Sequence, residues 1–290
     1  RPTIGGAVRM LRARMCAVAA AASTGRFLRC DCRDEHWLAI LGFMETTSLL
    51  PSGTDARVRH AISHYWTTLL EQKARQSSNV ADRGRRADVT GGKQMNGFCE
   101  LVSWVLTSNG VPHSSIFSNS KLEIPGYFRA TKKWDLLVVH KRRLIAAVEF
   151  KSQRGPSFGN NLNNRSEEAI GTAVDFLHAS RSGVFGVGAH APWVGWLMLL
   201  DADGSTEVSE IRQPHFKVLD EFRDTSYEQR YALLFRKLCV EKYLDAAAFM
   251  MIHEKDALSG EYREPIAELA IKPFLASLVG HVRASLEGAA

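Results

Sequence analysis

Trp134-Asp135-Leu136-Leu137-Val138-Val139-His140-Lys141-Arg142-Arg143-Leu144-Ile145-Ala146-Ala147-Val148-Glu149-Phe150-Lys151-Ser152-Gln153 consists of two short apolar runs parted by three basic residues. Each run is too short for an ordinary helix and is rich in Val, Leu, Ile and aromatic residues, so the pair predicts the two arms of one β-hairpin. If Lys141-Arg142-Arg143 form the loop, His140 faces Leu144. Counting back along both arms then sets Asp135 directly opposite Glu149, on one face of the sheet, with Cβ atoms about 4.5–5.5 Å apart. Lys151, two residues past Glu149, returns to the same face. A slip of one residue would separate the three.

Like charges directly opposite each other destabilise a sheet, and a carboxylate inside an apolar strand is costly to desolvate. A bound divalent cation compensates both. Hard oxygen ligands suit Mg²⁺, which usually takes one or two carboxylates and completes its shell with water or phosphate oxygens. Such an ion activates water and neutralises charge on a phosphate oxygen. Lys151 then has three roles open to it: orienting the nucleophile, helping to deprotonate it, or stabilising the transition state. The competing reading is bland. Asp…Glu-x-Lys is a common chance pattern, with Glu149 and Lys151 a cross-pair at a strand end and Asp135 a solvated strand start.

Downstream, residues 155–164 read as a Gly/Asn loop, followed by a helix from about Arg165 to Ala179 with Ala169, Ala173, Phe176 and Leu177 inward. A strand is expected from Trp193 to Leu200, stopped by Asp201-Ala202-Asp203-Gly204. A long helix over about Tyr227 to Ile252 and a last one over about Pro265 to Leu286 complete that half. Upstream, Thr54 or Asp55 caps a helix whose apolar residues run from Val58 to Leu70, and residues 77–93 form a polar basic loop. A second helix buries Met95, Phe98, Leu101, Val102 and Val105 and stops near Gly110. Residues 114–131 carry alternating and turn-like signals. Helices around a few strands, some in hairpin register, predict a mixed α/β or α+β domain with a central mixed sheet.

Composition is that of a globular protein with a real core: 290 residues, 45% hydrophobic and 23% charged. No apolar run approaches the roughly 18 residues of a membrane span. The net charge of +6, with a pI near 9.1, is compatible with an acidic partner such as nucleic acid. Five cysteines without paired spacing argue against a disulfide framework and for a reducing cytoplasm. Residues 1–53 stand apart. They begin with Arg1, have no acid before Asp31 and carry an alanine run from Ala19 to Ala22. The segment is weak as a signal peptide. It is expected to be an extension, poorly ordered or upstream of initiation at a methionine such as Met44, with the folded domain over residues 54–290.

The block Trp134-Asp135-Leu136-Leu137 … Val148-Glu149-Phe150-Lys151-Ser152-Gln153 resembles the PD-(D/E)XK nuclease signature, with Trp134 where that signature has proline. Extended through Gly155-Pro156-Ser157-Phe158-Gly159-Asn160-Asn161 and Asn163-Asn164-Arg165-Ser166-Glu167-Glu168-Ala169-Ile170-Gly171, it is similar to the XhoI family of type II restriction endonucleases. Thr90-Gly91-Gly92-Lys93-Gln94-Met95, Pro125-Gly126-Tyr127-Phe128-Arg129 and Pro214-His215-Phe216 extend the likeness, which spans about residues 56–252. The resemblance implies a restriction-endonuclease-like fold and a homodimeric, Mg²⁺-dependent enzyme that cuts both strands of double-stranded DNA. It implies CTCGAG as the target and a DNA methyltransferase as functional companion. It assigns Asp135 and Glu149 as metal ligands and Lys151 as the catalytic lysine. Glu100 and Gln153 are accessory candidates, each balanced by an ordinary solvated role. Lys93, Lys132, Lys133, Asn160, Asn161, Asn163, Asn164 and Arg165 are candidate DNA contacts, amides for adenine edges or phosphates and cations for phosphates. Asn is equally an ordinary turn residue, and a basic run is often just a solvated face. Two rivals stand beside this reading: a repair or junction nuclease of the same fold, and a non-catalytic DNA-binding protein on a nuclease scaffold.

Overall fold

A computed structural model of the chain describes residues 49–78, 93–186, 190–213 and 215–287. Its helices are α1 (Thr54–Ser78), α2 (Asn96–Ser108), α3 (Phe158–Arg181), α4 (Tyr227–Val240) and α5 (Ile271–Glu287). Its strands are β1 (Ile116–Phe117), β2 (Glu123–Pro125), β3 (Thr131–Lys133), β4 (Leu136–His140), β5 (Arg143–Gln153), β6 (Trp193–Asp201) and β7 (Ala246–Ile252).

β4 and β5 form the expected hairpin with a tighter turn than expected. Only Lys141 and Arg142 make the connection, both at positive φ (48° and 63°), as a two-residue turn matched to strand twist requires. His140 therefore pairs with Arg143 and Val139 with Leu144. A bulge between Val138 and Val139 then shifts the register, so that Val138 meets Ala146, Leu137 meets Ala147 and Leu136 meets Val148. The bulge absorbs one residue of β5. It restores the alignment that a three-residue loop would have produced as far as Leu136–Val148, and Asp135 lies just beyond that last pair, its side chain accepting from Phe150.

The main sheet has the order β1-β4-β5-β6-β7, with β2 and β3 as a separate antiparallel ribbon. β1, β4 and β5 pair antiparallel, whereas β5, β6 and β7 run parallel. Parallel neighbours need crossovers, which α3 and α4 supply. Side chains alternate across the sheet. Val148, Phe150, Leu197, Leu199, Ala248 and Met250 pack with α1, α2 and α5. Ala147, Trp196, Met198, Phe249 and Met251 pack with α3 and α4. Three layers result, with a core on each side of a mixed sheet, as the expected fold class requires.

Some sequence expectations need correction. Residues 158–164 are not loop, because α3 begins at Phe158. Four asparagines favour turns, but Phe158 and Leu162, one helical turn apart, are both buried, and packing outweighs propensity there. The long helix over 227–252 is in fact a helix and a strand. The N–H groups of Tyr243 and Leu244 close α4 onto the Leu238 carbonyl, and Lys242 turns at φ 61°. Ala246–Ile252 then joins β6, buried on both faces, as parallel strands are. The last helix starts later, at Ile271, after a short 3-10 turn. Leu49 and Leu50 pack against the core, and Asn109 Nδ2 donates to the Leu49 carbonyl at 2.9 Å. Expectations for residues 1–48, and for residues 79–92 of the polar basic loop, lie outside the described residues.

Candidate active site

The polar group lies on the α3/α4 face of β5, where Glu149, Lys151 and Gln153 follow Ala147 at alternate positions. Glu149 is only 3% exposed. It sits deep within the strand, unlike a solvated strand-end acid. Two ammonium groups neutralise it: Lys151 Nζ lies 2.7 Å from Oε1, and Lys132 Nζ 2.9 Å from Oε2. Asp135 Oδ2 accepts the Phe150 N–H at 2.7 Å, so the carboxylate takes the place of a ladder carbonyl just before β4 begins. Burial, then the nearby Glu149 charge, pushes the Asp135 carboxyl up to about 6; the Phe150 N–H and the two lysines only partly offset this. Burial opposes charge on Lys151, yet Glu149 and then Asp135 prevail and raise its pKa above the ordinary value.

Aromatic rings wall the cluster. Lys132 lies 4.8 Å from the Trp134 ring centre and Lys151 5.9 Å from that of Trp196, both within cation–π reach. Trp134, in the signature's proline position, is buried and meets Phe176 edge-on at 5.2 Å. Its role is packing. From α2, the Cys99 thiol approaches the Asp135 carbonyl at 3.9 Å, and burial followed by the Asp135 charge pushes that thiol up to about 12.

The donor set fits a hard divalent cation. A buried Glu149 and a half-buried Asp135 interact through their charges, the Asp135 carboxyl being raised first by burial and then by Glu149. Among the described residues no group of three or more His, Cys, Asp or Glu forms a self-contained metal cage. Two carboxylates, with the remaining positions left to water or phosphate, make a donor set for a hard divalent cation.

The other sequence candidates divide sharply. Gln153 is neither solvated nor turned to the acids. It is buried, its Oε1 accepts the Tyr231 hydroxyl, and its Nε2 donates to the Phe158 carbonyl at 3.5 Å, tying β5 to α3 and α4. Glu100 is exposed on α2, and its neighbour Cys99 is the residue that reaches Asp135. Lys132, expected among the outward phosphate contacts, turns inward to Glu149. Lys93, Lys133, Asn160, Asn163 and Asn164 are exposed, while Asn161 and Arg165 are half-buried. Arg165 pairs with Glu168, whose charge also acts on Lys151. The Lys132–Glu149 contact had no signal in local spacing. It arises because the β2–β3 ribbon folds over the sheet, pairing Ile124 with Lys132.

The family model described as "Restriction endonuclease XhoI" matches residues 73–264, more than half of the chain. The type II restriction enzyme BstVI of Geobacillus stearothermophilus is 46% identical over 207 residues, covering 69% of this chain and 92% of that protein. The type II restriction enzyme XhoI of Xanthomonas vasicola is 40% identical over 195 residues, covering 65% and 77%. The type II restriction enzyme AbrI of Azospirillum brasilense is 48% identical over 169 residues, covering 56% and 74%. No solved structure matches. The chain belongs to the XhoI family of type II restriction endonucleases.

Proposed function

We propose that this endonuclease hydrolyses both strands of duplex DNA at CTCGAG, using Mg²⁺ held by Asp135 and Glu149, with Lys151 as the catalytic cation. The observation that carries the reading is a buried Glu149, close enough to Asp135 for their charges to interact, with Lys151 at 2.7 Å. The bound cation supplies positive charge for a non-bridging phosphate oxygen and a lowered pKa for a nearby water. Everything else falls to the protein. Asp135 is positioned by the Phe150 N–H, and Glu149 is held by Lys151 and Lys132.

Lys151 has three N–H donors, of which Glu149 uses one. The others are free to meet a phosphate oxygen or the attacking water. Its raised pKa keeps it protonated at neutral pH, which favours charge stabilisation over proton abstraction among its three open roles. The water oxygen bonds to phosphorus as the opposite P–O bond breaks; the attacking water gives up a proton to solvent and the departing oxygen takes one from solvent. One cluster serves one strand, so cutting a palindrome in both strands calls for a homodimer. The target sequence comes from the resemblance to the family, as does functional pairing with a methyltransferase that protects the host's own sites. The half-buried free thiols Cys99 and Cys239 fit action in a reducing cytoplasm.

Plasmid DNA with a CTCGAG site, incubated with the protein and Mg²⁺, is expected to give discrete fragments with fixed ends there. Glu149→Ala and Lys151→Ala are expected to abolish cutting with the fold retained. Ends at another fixed sequence would refute the target. Ends scattered along the DNA, or a preference for branched DNA, would instead indicate a junction nuclease. Salt-dependent binding without any cutting would indicate a non-catalytic scaffold.

A further inference from the structure

The β2–β3 ribbon ends in a loop that holds two aromatic side chains out in water. Tyr127 is 55% exposed and Phe128 67%. Their rings meet edge-on at 4.9 Å, and His178 of α3 lies 5.2 Å from Tyr127 and 5.5 Å from Phe128. The loop is not slack. Asp175 of α3, only 2% exposed, accepts the N–H groups of Tyr127 and Phe128 on Oδ1 at 2.8 and 2.7 Å, and Arg129 Nε on Oδ2 at 2.9 Å. Gly126 passes so close that a Cβ there would lie 2.7 Å from Asp175 Oδ2, which only glycine avoids. A buried carboxylate is costly to desolvate. Here it is used to present apolar rings to solvent, the opposite of what burial of aromatic surface would favour.

Two features tie this tip to the catalytic cluster. Pro125 pairs with Thr131 and Ile124 with Lys132, so the tip begins one pair beyond the lysine that touches Glu149. On α3, Asp175 lies seven residues after Glu168, whose charge acts on Lys151. That separation is about 10 Å along a helix, or about three base-pair rises of duplex. The ribbon is also basic: from residue 121 to 133 it carries Lys121, Arg129, Lys132 and Lys133 against Glu123, and with Arg129 paired to Asp175 and Lys132 to Glu149, Lys121 and Lys133 are the cations it offers an outside anion. An anionic, base-stacked polymer lying across the catalytic acids is the occupant that fits both its rings and its charge.

We propose that the ribbon tip is a second DNA-contacting element, with Tyr127 and Phe128 wedged against bases in a groove while Lys121 and Lys133 meet flanking phosphates. The proposal rests on the reading of the protein as a DNA endonuclease. Apolar side chains used in this way unstack a base step locally, and aromatic contacts with bases are sequence-tolerant sources of affinity.

The test uses the full chain, a duplex containing CTCGAG, and Ca²⁺ to permit binding without cutting. The Tyr127→Ala/Phe128→Ala double variant is expected to bind at least about tenfold more weakly, the scale of one lost aromatic–base contact. Because no phosphate contact is removed, the dependence of affinity on salt should stay as in the unaltered protein. Phe128→Trp should retain affinity. Sedimentation mass and melting temperature, measured alongside, should be unchanged. Unchanged affinity in a double variant that still cuts DNA would overturn the proposal and leave the nuclease reading standing. A drop in mass would overturn it in favour of a second copy of this chain as occupant. Unaltered protein that neither binds nor cuts duplex would end both readings.

Discussion

The two faces of β5 share a backbone and a degree of burial but not a chemistry. Toward α1, α2 and α5 it presents Val148 and Phe150, with Phe150 6.4 Å from Phe98 between ring centres. Toward α3 and α4 it presents Glu149, Lys151 and Gln153, of which Glu149 and Gln153 are buried among apolar neighbours. The first face contributes stability through area removed from water. The second carries charge into the same depth and holds it by pairing each acid with a lysine or a backbone N–H. A folded protein tolerates such a face when function requires it, usually at some cost in stability.

The contrast breaks most visibly under substitution of the charged face. Lys151→Ala or Glu149→Gln should reduce cleavage by at least about a hundredfold to a thousandfold, as loss of a preorganised electrostatic group does. Circular dichroism should show the fold intact, and a melted protein would move these residues into the structural class. Phe150→Ala, on the opposite face, should destabilise by about 3–5 kcal/mol through the cavity it leaves. Denaturant unfolding measures this, and cutting by the protein that remains folded should change far less than in the first pair.

Asp135→Asn sharpens the cost of the charged face. Its folded pKa near 6 lies above the ordinary carboxylate value, so ionised Asp135 destabilises the fold fully above about pH 6 and not at all below about pH 4. In cation-free buffer the variant should therefore be about 1–3 kcal/mol more stable than the parent at pH 8 and equal to it at pH 4. Equal stability at both values would contradict the burial argument. The smallest effect is expected at Lys132, whose ammonium pairs with Glu149 Oε2 and would compete with a cation bound there. Lys132→Met should tighten Ca²⁺ binding to the DNA-free protein by about tenfold in calorimetry, removal of a nearby charge in a partly buried site being worth roughly that. Weaker binding would show Lys132 supporting the site.

Much of this was legible in residue order because the decisive pairing is local. Asp135 and Glu149 lie fourteen residues apart on one hairpin, and β alternation alone puts Lys151 beside them. The expected loop was nevertheless one residue too long. The bulge at Val138/Val139 compensated for the tighter turn, so the expected alignment was regained as far as Leu136–Val148 although the turn assigned to it did not hold. Local reading failed where packing overrode propensity. Asn160 to Asn164 became helix because Phe158 and Leu162 found a core, and Ala246–Ile252 became strand because β6 offered a partner.

Residue order by itself determined the hairpin, the composition of both its faces and the family to which the chain belongs. Those depend on period-two alternation and on side chains a few positions apart, which chain connectivity enforces. Tertiary structure alone decided that Lys132 reaches Glu149, that Gln153 ties β5 to two helices, and that Asp175 braces an aromatic tip. Each joins groups on different elements. Such contacts exist only once burial on both faces of the sheet has fixed where those elements lie.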